Sequence, residues 1–167
     1  RKIRNTARFI LGNLDGFDPN TDCVADDQLQ EIDRWALAAL DDLMVNTSAG
    51  YAVYDFNKVY HAVYNFCVVA MSNFYLDVTK DRLYCTNGAG RKAAQTTMYK
   101  ILVALDKIIA PILCFTSQEI WDFMPKTEGM NKYVVFEEMP KAGQYAADEA
   151  FKAKWAQLIA VRDEVKK

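Results

Sequence analysis

Apolar side chains recur at helical spacing along most of this chain, and this periodicity limits its possible folds more than any other feature. The longest example runs from Asp55 to Arg82, about 28 residues without a glycine or a proline. A continuous helix of that length spans ~42 Å at about 1.5 Å per residue, and Asp55 is a suitable N-cap for it. The inner face predicted for this helix consists of Val59, Val63, Phe66, Ala70, Phe74 and either Leu76 or Val78.

Five further segments show helical spacing and are separated by short turn signals. The pattern predicts a first helix that begins near Ile3 and is ended by residues 12–16, and further helices over residues 27–45, 91–109, 116–125 and 148–167. Glycine and polar residues indicate turns at 12–16 and 46–50. Thr116 and Glu119 have the spacing of a capping box, which is typical of a helix start. Between residues 126 and 147 the only strand-like run is Tyr133–Phe136.

These elements predict an all-α fold, an up-down bundle of long, mostly antiparallel helices joined by short turns. We expect residues 1–125 to form the bundle and residues 126–147 to form an irregular connector. Residues 148–167 are predicted to form a C-terminal helix that packs on the bundle or leads away from it. With 167 residues, 51% of them apolar, the chain is long enough to bury the core of one domain.

Several classes of protein do not fit this composition. The sequence has no run of about 18 uncharged apolar residues, so we expect no membrane span. Four widely spaced cysteines without a Cys-x-x-Cys pair do not fit a zinc site. Cys67 and Cys114 are expected to be buried free thiols, which is typical of the reducing cytoplasm. The chain has no initial Met, and helical spacing of its residues begins at the first positions. Both features favour a piece of a longer protein.

Charge is segregated along a chain whose net charge is only −2. Residues 1–14 carry four cations and no acidic residue, whereas residues 15–55 carry one cation and ten acidic residues. Residues 56–110 are again basic, with seven cations and three acidic residues. Such segregation permits a local basic surface on an acidic protein.

The sequence contains no set of residues that indicates catalysis. His61 is the only histidine, and Asn87–Gly90 is not followed by the Gly-Lys-Ser/Thr of a phosphate loop. We therefore predict no catalytic and no metal-ligating residues. A free-standing enzyme is therefore less favoured than an RNA-binding module or a structural scaffold.

The better supported chemistry is RNA binding, because cations cluster at helix ends that an antiparallel bundle brings together. Lysine and arginine contact phosphates, while splayed bases of RNA loops are bound by stacking and hydrogen bonds. Tyr84, or another aromatic residue near that end, is a candidate for stacking. The predicted RNA-binding residues are Arg1, Arg4, Asn5, Arg8, Lys80, Arg82, Arg91 and Lys92. The alternative is a structural scaffold whose cationic stripes are merely solvated.

A series of motifs in one order strengthens the first hypothesis. The motifs are Lys2–Asn13, Phe17–Pro19, Asp33–Trp35, Tyr60–Cys67, Phe74–Tyr84, Arg91–Thr96, Ala110–Thr116, Glu119–Trp121 and Val161–Val165. Together they cover nearly the whole chain. In these motifs the sequence resembles the anticodon-binding domain of bacterial-type isoleucyl-tRNA synthetases.

This resemblance implies the helical bundle of the class I synthetases for isoleucine, valine, leucine and methionine. It also implies that the domain holds the anticodon stem-loop of isoleucine tRNA, so that the acceptor end reaches a separate catalytic domain. The His-Ile-Gly-His and Lys-Met-Ser-Lys-Ser signatures of the ATP site are absent from this chain. We therefore expect no activity and no cofactor in this part, since ATP and zinc would belong to other parts of the enzyme. The expected partners are isoleucine tRNA and the flanking catalytic and C-terminal domains, in a monomer.

The resemblance extends to individual residues. In the related methionine enzyme, an Asn and an Arg on the first bundle helix and an aromatic residue at the end of a later helix contact the anticodon. Asn5 and Arg8 match the first pair in character. The segment Lys80–Tyr84 falls where that aromatic residue would be, with charged residues in its place.

Overall fold

A computed structural model of the chain describes residues 1–85 and 87–165. Within these ranges the chain is helical and contains no β-strand, which confirms the predicted all-α fold. The helices are α1 (Lys2–Asn13), α2 (Glu31–Ala52), α3 (Phe56–Asn65), a π-helix (Phe66–Tyr75), α4 (Leu76–Val78), α5 (Lys80–Tyr84), α6 (Ala89–Ile109), α7 (Cys114–Phe123) and α8 (Glu149–Val165). Two short 3₁₀ helices occupy Asp26–Gln28 and Val134–Phe136. None of the helices in the described ranges is long and apolar enough to cross a membrane.

Contacts at the two ends of the bundle define the direction of its helices. At the upper end, Gln95 near the start of α6 donates to the carbonyl of Asn13, the last residue of α1 (2.8 Å). At the lower end, Tyr51 near the end of α2 donates to the carbonyl of Ile108 near the end of α6 (2.7 Å). Thus α2 and α6 run downward, and α1 runs upward. The path from α3 to α5 also runs upward, which completes the predicted up-down arrangement.

The path from α3 to α5 corresponds to the segment predicted as one long helix, and its middle is the π-helix. Its most deeply buried side chains recur at every fourth residue, at Val59, Val63, Cys67, Met71, Tyr75, Thr79 and Leu83. In an α-helix of about 3.6 residues per turn, each step of four residues rotates the buried face by roughly 40°. The wider turns of a π-helix, whose hydrogen bonds join residues i and i+5, offset this rotation. For this reason the fully buried side chain at this turn is Met71. Ala70, which was predicted to face inward, is only partly buried.

Helix α2 continues through residues 46–50, so the prediction of a turn there is wrong. Gly50 lies in this helix and is buried, and its lack of a side chain lets α3 approach closely: a Cβ atom at this position would lie 2.8 Å from Cγ2 of Val59. The turn follows at residues 53–55, where Tyr54 has a positive φ of 58°. Asp55 caps α3 as predicted, because its carboxylate accepts a hydrogen bond from the backbone amide of Lys58 (3.0 Å).

Helix α7 begins at Cys114, and its side chains do not form the capping box predicted at Thr116. Glu119 instead forms an ion pair with Arg4 of α1. Ser117 donates to the backbone carbonyl of Asp106 in α6 (3.1 Å). These two contacts hold α7 against both helices. The strand-like run at 133–136 folds as a 3₁₀ turn.

Helix α8 lies on the outside of the bundle. Its buried residue Trp155 packs against Trp35 of α2 and Phe74 of the π-helix, with ring centroids 5.8 and 6.1 Å away. Toward the end of the helix, the Arg162 guanidinium lies 5.1 Å from the centre of the Phe74 ring. The predicted end of this helix at Lys167 lies outside the described residues.

The cysteines are free thiols, two of which were predicted to be buried. Cys67 is buried in the π-helix as expected, and this burial raises the pKa of its thiol to about 12. Cys114 is exposed at the start of α7, so the prediction for this residue is wrong. The apolar run around Cys114 explains the error, since its neighbours Leu113 and Phe115 are also exposed.

A buried carboxylate joins four helical elements at the upper end. One oxygen of Asp33 accepts hydrogen bonds from the Tyr75 hydroxyl (2.7 Å) and the Arg82 guanidinium (3.0 Å). The other oxygen accepts from Arg82 (2.8 Å) and from the backbone amide of Gln30 (3.1 Å). Arg82 also donates to the carbonyl of Gly90 in α6, at 2.8 and 3.2 Å. We call Asp33, Tyr75, Arg82 and Gly90 the Asp33 cluster. Burial, together with the Asp33 carboxylate, raises the pKa of Tyr75 well above its usual value.

A second buried carboxylate, Asp106 of α6, lacks such partners. Neither of its carboxylate oxygens has a hydrogen-bond partner among the described residues. Burial raises the pKa of Asp106 to about 7, although the nearby Ser117 hydroxyl and Lys126 ammonium oppose the rise. The side chain is therefore held in its neutral form more strongly than an exposed aspartate.

Substitution of Arg82 by Ala should destabilise the fold severely. Removing one partner of a buried ion pair leaves the other charge uncompensated, which costs about 3–5 kcal/mol. Arg82→Lys should recover only part of this loss, because an ammonium group lacks the planar fork of the guanidinium. The free energy of unfolding in urea measures both effects. Lys80→Ala in the same helix is the control, since its exposed pair with Asp77 contributes about 1 kcal/mol or less. Equal stability of Arg82→Ala and Lys80→Ala would contradict a structural role for the Asp33 cluster.

Asp106 should make the protein less stable as the pH rises from about 4 to about 7. Its pKa is about 7 in the folded chain and about 3.9 when unfolded, so within this window the folded state binds more protons. Stability then falls with rising pH and levels off above pH ~7. The difference amounts to a few kcal/mol, since a pKa change of one corresponds to about 1.4 kcal/mol.

Urea unfolding of Asp106→Asn at several pH values tests this expectation. The variant should lose the part of the wild-type slope that lies between pH ~4 and pH ~7. Asp15→Asn, which removes an exposed carboxylate, should keep the wild-type slope. Identical pH profiles for Asp106→Asn and the wild type would show that Asp106 is ionised in the folded protein.

Candidate nucleic-acid interface

The predicted RNA-binding residues of α1 are all exposed. Arg1, Arg4 and Arg8 recur at spacings of three and four residues, which places them along one side of the helix. Arg4 contacts both carboxylate oxygens of Glu119 in α7, so its charge is shared with that acid. Arg8 lies one turn further up, next to Asn5.

The upper half of α1 forms one wall of an open groove, and the end of α5 forms the other. The lining residues are Asn5, Arg8, Phe9, Gly12, Asn13 and Tyr84. This arrangement brings together two predicted contact residues, Asn5 and Arg8, with the predicted stacking residue Tyr84. We call it the α1–Tyr84 groove.

Tyr84 is exposed at the groove because it directly follows the last of the buried positions that recur at every fourth residue from α3 to α5. Leu83 is the last buried side chain of that row, and the next residue along a helix points about 100° away. Tyr84 is accordingly 65% exposed. Lys80 lies four residues earlier, on the same side of α5, and pairs with Asp77 at 3.0 Å. One face of α5 therefore presents an aromatic ring and a cation.

The first turn of α6 lies beside the groove. Gln95 holds α6 to the end of α1 through the carbonyl of Asn13, and Arg91 is one helical turn before Gln95 on the same side. The Arg91 guanidinium donates to the side chain of Asn87 (3.2 Å). Arg91 therefore lies on the side of α6 that faces the end of α1, outside the lining of the α1–Tyr84 groove.

Lys92 points to another part of the molecule. Its ammonium group donates to Asp22 in the loop between α1 and α2, at 2.7 Å. This hydrogen bond lowers the pKa of Asp22. Lys92 is thus not brought together with the residues of the groove.

The placement of Arg82 revises the role expected for it. Its guanidinium lies within the Asp33 cluster and is only 16% exposed, whereas a residue that contacts RNA must present its donors to solvent. Sequence spacing alone does not distinguish a surface cation from one that pairs with an acid 49 residues away. We assign Arg82 to the support of the groove rather than to its lining.

Three lining residues were missed at the level of sequence. Phe9, Gly12 and Asn13 follow Asn5 at intervals of four, seven and eight residues, which is the spacing of one helical face. That spacing could have identified them once Asn5 was chosen. Together the lining offers amides, a guanidinium and aromatic rings, which suit hydrogen bonds and stacking rather than catalysis.

Comparison with known proteins identifies the domain. Residues 33–167 match a family model described as the anticodon-binding domain of tRNA ligase. The chain belongs to this family. It is 50% identical to the isoleucine–tRNA ligase of Syntrophotalea carbinolica, 49% identical to that of Caldicellulosiruptor saccharolyticus and 46% identical to that of Bacillus mycoides.

Each of these comparisons covers 100% of the chain but only 18% of the relative. The resemblance to isoleucyl-tRNA synthetases is therefore confirmed along the entire chain. Helix α1 lies before the start of the family match at Asp33, yet the relatives include it. The groove thus combines a helix outside the family match with Tyr84, which lies inside it.

Proposed function

We propose that this domain binds the anticodon stem-loop of isoleucine tRNA through the α1–Tyr84 groove. The observation that carries the proposal is the groove itself, where Asn5, Arg8 and the exposed ring of Tyr84 line one open surface. Unpaired bases of RNA loops are bound by stacking on aromatic rings and by hydrogen bonds to their edges. The names of the relatives, isoleucine–tRNA ligases, support isoleucine tRNA as the partner.

The predicted contact residues divide into those at the centre and those at the margins. Asn5 and Arg8 are proposed to hydrogen-bond bases, and Tyr84 is proposed to stack on one of them. Lys80 and Arg91 flank the groove and are proposed to bind phosphates, because lysine and arginine supply most phosphate contacts.

The remaining cations contribute less in this proposal. Arg1 extends the basic side of α1 beyond the groove, and Arg4 shares its charge with Glu119. Lys92 is paired with Asp22. In a full-length ligase, the domain would hold the anticodon while a separate catalytic domain joins isoleucine to the acceptor end with ATP.

Titration of the chain with an isoleucine-tRNA anticodon stem-loop at two salt concentrations tests the proposal. The two phosphate contacts proposed for Lys80 and Arg91 give a slope of about −1.4 in a plot of log affinity against log salt. Affinity should then fall about sevenfold between about 50 and 200 mM salt. A stem-loop of the same length with altered anticodon bases should bind more weakly. Absence of binding at the lower salt concentration would support the scaffold alternative.

Arg8→Ala should weaken this binding without affecting the fold. Loss of a guanidinium that contacts a base costs about 1–3 kcal/mol of binding free energy, whereas Arg8 is exposed and not part of an ion pair described for α1. Fluorescence anisotropy with labelled stem-loop measures the affinity, and urea unfolding measures the stability. The control is Lys58→Ala, which removes an exposed cation at the lower end and should bind like the wild type. Equal losses in the two variants would indicate nonspecific attraction rather than contact in the groove.

A further inference from the structure

Gly12 has no evident role in the fold. It lies inside α1 and is exposed, and a Cβ atom added there would meet no atom within 4 Å. Its φ is not among the positive values found for Gly16, Gly129 and Gly143. Glycine in a helix is less favourable than alanine, so this position carries a residue that weakens α1 without relieving a clash.

The end of α1 does not require Gly12 either. The backbone amide of Leu14 caps the helix by bonding to the carbonyls of Ile10 and Leu11 (3.0 and 3.1 Å). The left-handed turn that redirects the chain is formed by Gly16, with φ +72°. Termination and reversal of α1 therefore depend on residues beyond Gly12.

The position of Gly12 in the groove offers a reason for the glycine. Asn5, Phe9 and Gly12 share one face of α1, and Tyr84 lies on the opposite wall. A glycine in such a wall lowers it and exposes the helix backbone, which allows a ligand to approach more closely than any side chain would permit. The space above Gly12 adjoins the side chains best suited to bind a base.

We propose that Gly12 is the entry point for one unpaired RNA base, which lies against the α1 backbone and stacks on the ring of Tyr84. This inference rests on the proposed binding of the anticodon stem-loop. A base is flat and can use both surfaces, since every base has a face that stacks on an aromatic ring. A side chain at position 12 would occupy the space proposed for the base. It would not disturb the fold of the unbound domain, because a Cβ atom there meets no atom within 4 Å.

A size series at position 12 tests the inference. Gly12→Ala should bind the stem-loop several-fold more weakly and Gly12→Leu at least about tenfold more weakly, because stacking of one base accounts for losses of this order. The urea midpoint of both variants should equal or exceed that of the wild type. Ala49→Leu adds similar bulk to an exposed position of α2 near the lower end and should bind like the wild type.

A spectroscopic measurement locates the base. Stem-loops that carry the fluorescent base 2-aminopurine at single loop positions should show one position that is quenched on binding to the wild type. Quenching at that position should be lost in Gly12→Leu and also in Tyr84→Leu, since both remove the stacking site.

The possible outcomes separate this inference from the proposed function. A wild-type chain that does not bind the stem-loop would refute the proposed function. Wild-type affinity and quenching in Gly12→Leu would overturn the role of Gly12 and leave RNA binding intact. Weaker binding with unchanged quenching in Gly12→Leu would also overturn it, because the base would still be stacked. If Gly12→Leu failed to fold, Gly12→Ala would decide, since its added methyl group meets no atom of the fold.

Discussion

The upper end of this domain depends on a single carboxylate. Asp33 is fully buried, and a buried charge is tolerated only when it is paired and hydrogen-bonded. Four donors satisfy its two oxygens: the backbone amide of Gln30 just before α2, the Tyr75 hydroxyl and two guanidinium nitrogens of Arg82, which also extends the contact to α6. Two residues after Arg82 comes Tyr84, and directly after Gly90 comes Arg91. The geometry of the proposed RNA surface thus depends on an ion pair that is not part of that surface.

Ion pairs within the fold also explain how a chain with excess acidic residues can have a basic side. Several acidic residues of the segment 15–55 pair with lysines from other elements, as Asp22 does with Lys92 and Asp26 with Lys100. These pairs lie away from the α1–Tyr84 groove. Arg8 is left exposed in the groove. Local pairing, rather than net charge, therefore decides where a polyanion can approach.

Sequence reasoning succeeded where a feature depends on nearby residues. The apolar periodicity of α1 and α6, the cap at Asp55 and the exposure of Tyr84 are local properties. Predictions from the sequence failed at residues whose position depends on a contact with a distant part of the chain. Gly50, predicted to lie in a turn, is helical and packs closely against Val59, and Glu119 pairs with Arg4, 115 residues away, instead of capping its own helix. No single-sequence pattern contains such pairings, so the interior position of Arg82 required the structure.

The π-helix links the length of one segment to the orientation of everything that follows it. Buried side chains recur at every fourth residue along this path, and the wide turns of the π-helix keep those side chains directed at the core. One residue corresponds to about 100° of helical rotation. A natural insertion or deletion between Phe66 and Tyr75 would therefore turn Arg82 away from Asp33 and Tyr84 away from the groove together. The residue count of this segment is therefore constrained by two side chains that follow it, Arg82 and Tyr84.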